Sequence, residues 1–319
     1  MAVIAQYFLL SAPLYALVLV GYVIGQWRHW RASWTQWASK FVFAVALPAL
    51  LFHLLSDLSA LPPVDARLLI AFFGGCFVVF VIGRVIAARG FELDGVAQSV
   101  FALGGVFSNN VMLGLPLAKL TLGAAAVPSV ALVLVFNSLI LWTLVSVSVE
   151  WARQGAFTVA GLAKTFWGVL TNPIVAAILS GAAFGLAGFR LPKLLAGSLA
   201  ALGQVAAPVA LLTLGLGLVQ YGVQRGWQQS LAICALKLVV LPLVVWALAA
   251  LLGLPALETR VIVLLASMAM GANVYLMSMQ FQTLEGPVAT SLVLSTALAA
   301  LTTPLLLSVL DGVLGPLRH

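Results

Sequence analysis

Long apolar runs alternate along the chain with short breaks of charged, glycine and proline residues. The runs predict ten helices, near residues 5–26, 38–57, 66–88, 95–119, 126–149, 165–187, 196–221, 229–252, 258–282 and 288–311. Each is about 20 to 26 residues long, and at about 1.5 Å of rise per residue that spans a hydrocarbon core of about 30 Å. A barrel strand crosses the same core in about 9 to 11 residues, so the runs read as helices.

Two runs set asparagine near glycine at their middle. In the fourth, "FSNNVMLGLPL" from Phe107 to Leu117 sets Ser108, Asn109 and Asn110 beside Gly114 and Pro116. Pro116 lacks a backbone donor and crowds the preceding turn, and Gly114 adds freedom, so a break is expected between Ser108 and Pro116. The ninth run, "MAMGANVYLMSMQF", offers a matching interruption at Gly271 and Asn273. Opened backbone costs several kcal/mol per unsatisfied group in hydrocarbon, so it survives only inside protein or beside a watery cavity.

The halves of the chain resemble each other. Pro13 and Pro48 are 35 residues apart, as are Pro173 and Pro208, so a shift of 160 superposes both pairs. A shift of 163 lays "NNV" at Asn109–Val111 on "ANV" at Ala272–Val274. Five helices repeated, about 1–150 and about 160–319, predict an inverted repeat, because an odd count brings the second copy in from the opposite face. The fourth and ninth helices would then be broken and cross near the midplane, aiming half-helix N-termini, with their partial positive charge, at one point. An anion is the ligand such a point favours.

Composition fits this plan. With 63% hydrophobic and 7% charged residues and a mean hydropathy of +1.17, the chain cannot cover a water-facing surface. It reads as an all-α, multi-pass membrane protein in one domain spanning 1–319, with no soluble appendage. The first run carries no Lys or Arg before Arg28 and reads as a retained span. The net charge of +7 sits mostly at helix ends, which fits lipid headgroups and orientation and argues against nucleic acid. The Lys/Arg balance of the loops favours both termini outside the cytoplasmic membrane.

Asn109, Asn110 and Asn273, at equivalent points of two repeats, are the expected solute ligands, with Ser108 and Tyr275 as additions. Asn137 in "LVLVFNSLILW" either lines the site or packs between helices. Asn172 is expected to repair the backbone opened by Pro173. Lys237 either snorkels to the interface or turns inward as a charge partner for the solute or the crossing. His53 reads as interfacial rather than as a proton relay. Cys76 and Cys234 read as small hydrophobes.

All eight acids, Asp57, Asp65, Glu92, Asp94, Glu150, Glu258, Glu285 and Asp311, fall at or near run ends. No midplane carboxylate offers itself as an ion carrier, the three histidines form no metal spacing, and no catalytic pair or cofactor motif is present. An enzyme is not expected.

"SNNVMLGLPL", "TNPIVAAILSG", "APVALLTLGLGL" and "GANVYLMSMQF" resemble, in order along the whole chain, the motifs of the auxin efflux carrier family, in its compact bacterial branch of malonate and permease-like transporters. The resemblance implies a scaffold domain and a transport domain, an organic anion held where helices four and nine cross, elevator-like alternation, and often a homodimer. By matching motif, Asn109, Asn110 and Pro116 fall on the first crossing, Asn273 and Tyr275 on the second. The chain departs from the plant members in its short link at 150–164 and in lacking a proline in "GANVY", so auxin is not the expected solute. A sodium-coupled carrier of the bile-acid type, and a channel or receptor-like protein, are the alternative readings.

Overall fold

The computed structural model describes residues 2–27, 32–56, 64–154, 171, 173–221 and 226–315. Asn172, Asp57 and several predicted loop cations, Arg28, Arg31, Lys164, Arg225 and Arg318, lie outside the described residues. The described elements are helical. In chain order they are α1 (Ala2–Gly25), α2 (Ala32–Phe41), α3 (Leu47–Leu55), α4 (Arg67–Gly90), α5 (Gly95–Val106), α6 (Leu115–Leu122) and α7 (Val127–Gln154). There follow α8 (Pro173–Leu186), α9 (Lys193–Tyr221), α10 (Trp227–Ala235), α11 (Leu241–Leu251), α12 (Ala256–Ser267), α13 (Asn273–Phe281) and α14 (Glu285–Leu314).

Seven stretches among the described residues are long and apolar enough to cross a membrane, and three shorter apolar helices, Gly95–Val106, Asn110–Leu122 and Pro173–Leu186, accompany them. Two of those shorter pieces are the halves of the predicted fourth span. The ninth run is likewise divided, into α12 and α13.

Three wide turns share one cause. At Val42–Ala46, Asn110–Gly114 and Leu236–Val240 the helix loosens to a π-turn, and each turn is followed by Leu-Pro: Leu47-Pro48, Leu115-Pro116 and Leu241-Pro242. A proline ring crowds the carbonyl four residues back and offers no N–H, so the leucine before it reaches five residues back instead. Leu47 donates to Val42 O, Leu115 to Asn110 O and Leu241 to Leu236 O. Pro13, Pro208 and Pro304 are instead carried inside continuous helices.

Packing falls into two groups. In one, α9 lies along α1 and α3, and α3 also packs on α8. A Cβ on Gly21 would strike Leu212 O, and one on Gly215 would strike Val18 O. This is the close backbone approach that small residues permit between membrane helices, where packing rather than hydrophobicity drives association. In the other group α4 packs on α5 and α11, α12 on α11 and α14, and α7 on α5. Contacts of α1 with α6 and α14, and of α9 with the Asn110–Gly114 turn, join the groups.

One polar cluster ties the ends of the chain together. Tyr7 Oη donates to Asp311 Oδ2 at 2.5 Å, and Arg260 Nε donates to Asp311 Oδ1 at 3.1 Å. The Arg260 guanidinium also donates to Gly315 O. The guanidinium is buried, so its partners answer the cost of taking a charge out of water.

Candidate solute site

The two broken helices meet at their breaks. The α5 helix starts well capped, with the Asp94 carboxylate accepting from Val96 N and Ala97 N, and it ends at Val106. Phe107 is extended, at φ −82° and ψ 104°. The second break begins at Met268, at φ −63° and ψ 153°. Extended chain can pair with extended chain, and Ser108 and Met270 form an isolated antiparallel bridge. Asn109 N donates to Ala269 O at 2.8 Å, and Gly271 N donates to Phe107 O at 2.9 Å.

The groups opened by the breaks are largely answered by protein. Ser295 Oγ on α14 accepts from Met270 N at 3.1 Å. Lys237 Nζ, fully buried in the third π-turn, donates to Ala266 O in the last turn of α12. A cation at a helix C-terminus also meets the negative end of the peptide dipoles. Asn109 O accepts from both Leu113 N and Gly114 N.

The first break falls at the start of the expected window and differs in cause. It lies at Phe107–Asn109, while Pro116 stands beyond it, inside the continuous helical stretch Asn110–Leu122. Pro116 widens the turn after the break. Gly114 makes room: a Cβ there would lie 2.8 Å from Leu265 Cδ2 and 3.3 Å from Asn110 Oδ1. Gly271 does the same at the bridge, where a Cβ would lie 2.9 Å from the Phe107 ring.

Beside the bridge lies a cavity of about 260 Å³. Ser108, Asn109 and Asn110 line it from the first break, and Gly271, Ala272 and Asn273 from the second. The opposing wall comes from Ser39 and Phe43, Leu134 and Asn137 of α7, and Thr213, Leu214 and Gly217 of α9. Several polar atoms here are buried without a hydrogen-bond partner: Ser108 Oγ, Asn109 Nδ2, both side-chain atoms of Asn110, and Asn137 Oδ1. Native proteins satisfy nearly all buried polar atoms, so a cluster of orphans facing one cavity marks a place for a solute or water.

Both half-helices beyond the breaks begin at the cavity, with Asn110 opening the first and Asn273 the second. Val274 N and Tyr275 N donate back to Gly271 O and Ala272 O, as Leu113 N and Gly114 N do to Asn109 O, so these ends bring to the cavity chiefly the positive end of the helix dipole. The cavity thus presents amide donors and two helix N-termini, and among the described residues no ionisable side chain lines it.

Not every predicted residue arrives there. Tyr275, one turn into α13, is half-buried and is absent from the cavity wall. Lys237 has turned inward, but to Ala266 O rather than to the cavity. Asn137 lines the cavity. His53 lies elsewhere, on α3, with its Nδ1 buried and unpartnered. Thr213, Ser39 and Ser295 were not singled out in the sequence. Hydroxyls in apolar helices are common, and only the folded chain brings these three to the breaks.

A membrane-embedded bundle with two interrupted helices meeting at a polar cavity is the architecture of a solute carrier. The family model described as "Membrane transport protein" matches residues 8–307. The chain belongs to this family, the one its motifs resemble, and is a multi-pass membrane transporter rather than an enzyme. It is 26% identical over 314 residues, 96% of each chain, to a protein of Rhizobium meliloti (strain 1021) named "Putative malonate transporter".

Proposed function

We propose that this protein is a secondary transporter that carries a small organic anion of the carboxylate or dicarboxylate class across the cytoplasmic membrane. The observation that carries the reading is the group of unpartnered amides and the Ser108 hydroxyl at the cavity where the two breaks meet. Asn109, Asn110 and Asn273, with Ser108 and Asn137, are its ligands, and the N-termini at Asn110 and Asn273 supply positive potential without a buried cation. A volume of about 260 Å³ is near the lower end for ligand pockets and suits a short solute. The name of the Rhizobium relative favours a short dicarboxylate.

In this reading the chain has ten spans arranged as a 5+5 inverted repeat. The order of elements supports it: α4, α5–α6 and α7 in the first half have counterparts in α10–α11, α12–α13 and α14 in the second. The two packing groups serve as scaffold and moving body, and their relative displacement exposes the cavity to each face in turn, in the elevator manner. Both termini are outside, and lipid surrounds a single chain or a homodimer.

Purified protein reconstituted into liposomes and given labelled malonate tests the reading. Saturable uptake that unlabelled malonate competes, and counterflow from preloaded vesicles, are the expected results. Conduction without saturation or counterflow overturns the carrier assignment, and uptake that needs sodium favours the bile-acid-type alternative.

A further inference from the structure

The cavity is asymmetric in what it offers. At the breaks, Asn109 Nδ2 and Asn110 Nδ2 are unpartnered donors, joined by the Ser108 hydroxyl. Asn110 Oδ1 is turned toward its own helix, over Gly114. The other unpartnered amide oxygen is Asn137 Oδ1, brought to the cavity by a different helix, α7, and 5% exposed as a residue. A buried acceptor without a donor costs free energy until something donates to it.

Among the described residues, none that lines the cavity carries a positive side chain to answer a second negative charge. Cations on the elements packed against α7 are engaged or remote from it. Arg84 of α4 donates to Ser148 and Gln98, and Arg260 of α12 pairs with Asp311. Arg67 pairs with Asp65, and Lys119 of α6 is exposed. Arg89 of α4, Asp94 before α5, Glu258 of α12 and His53 of α3 do not line the cavity, nor does Lys237.

We propose that the carrier takes its solute as a monoanion whose far end donates a hydrogen bond to Asn137 Oδ1. For a short dicarboxylate this is the half-protonated form: one carboxylate lies at the amide donors and helix N-termini, and the second carboxyl, protonated, meets Asn137. The proton travels on the solute, so no side chain of the cavity has to titrate. This rests on the carboxylate reading above and adds the charge state and the residue that selects it. A site built to receive a donor discriminates against an analogue lacking one, because its own acceptor is then left unpaired.

Three probes separate the possibilities: malonate, malonamate and monomethyl malonate, each tested for binding to the purified full-length protein between pH 5.5 and 7.5. Malonamate has one charge and a far-end donor at every pH, whereas the ester has one charge and no donor. Malonate should weaken by about tenfold per pH unit above its second ionisation, as the half-protonated fraction falls, while malonamate stays constant. The ester should bind about tenfold more weakly than malonamate, and Asn137→Leu should narrow that gap. Malonate affinity that is flat or rises with pH overturns the proposal, as does equal binding of amide and ester to the wild-type protein. Failure of all three probes to bind at any pH overturns the carboxylate reading itself.

Discussion

Gly271 and Phe107 hold the two breaks together: the glycine N–H donates to the Phe107 carbonyl at 2.9 Å, and the Phe107 ring occupies the space a side chain at 271 would need. Gly271→Ala forces that ring or the bridge to shift. Such overpacking costs about 1 to 3 kcal/mol. The expected outcome is a lower melting temperature in detergent together with loss of uptake, and Gly271→Val should be worse on both counts.

The site asparagines should behave in the opposite way. Asn109 Nδ2 and both side-chain polar atoms of Asn110 have no partner in the folded chain. Removing an unsatisfied buried polar group sacrifices no hydrogen bond, so Asn109→Ala and Asn110→Ala should alter stability by less than about 1 kcal/mol in the absence of solute. Thermal unfolding of the solute-free variants checks this, and a large loss of stability would make these residues interhelical glue instead.

Lys237 supports the crossing from behind. Its ammonium donates to Ala266 O at the end of α12, away from the cavity wall. Lys237→Met leaves that carbonyl and the negative end of the helix without a partner, at about 1 to 3 kcal/mol. Lower stability and lower maximal uptake are expected, while the preference among anions stays as in the wild type. A changed preference, measured by competition, would put the lysine in contact with the solute.

Asp311 should matter more than Tyr7, although the two share a hydrogen bond. Arg260 is 2% exposed and Asp311 15%. Asp311→Asn strands a buried guanidinium, and breaking a buried pair from one side costs about 3 to 5 kcal/mol. Tyr7→Phe removes one hydrogen bond, worth about 1 kcal/mol. Denaturation or melting of the two variants side by side checks the order. If Tyr7→Phe proves the more damaging, the cluster is held from α1 rather than from the ion pair.

Class and interruption were legible in the sequence because both are local. Hydrophobicity averaged over a helix length is read without knowing the fold, and Gly, Pro and Asn inside an apolar run announce a disturbance wherever they stand. The place of the first break was legible only to within the Ser108–Pro116 window. Phe107–Asn109 contains neither Gly nor Pro, and its extended backbone is secured by Ala269 and Gly271, far off in the chain. Pro116 drew attention for the right segment but acts on the turn after the break. The wide turns were not legible either: Leu-Pro follows each of them at 47–48, 115–116 and 241–242, but it also stands in loops at 191–192 and 254–255. Tyr275 shares a motif with Asn273 yet, two positions along a helix, lies off the cavity wall. Thr213 and Ser39 carry no local mark, since their role depends on which face of α9 and α2 the packing turns toward the breaks.

In the proposed function, amides at the meeting breaks hold a carboxylate. Equilibrium binding of labelled malonate to purified wild-type protein, Asn110→Ala and Asn273→Ala, at a pH where all three are folded, tests it most directly. Measurable binding to the wild type and a loss of about tenfold or more in each variant, roughly 1.4 kcal/mol, is the predicted result. Wild-type affinity in both variants would contradict it.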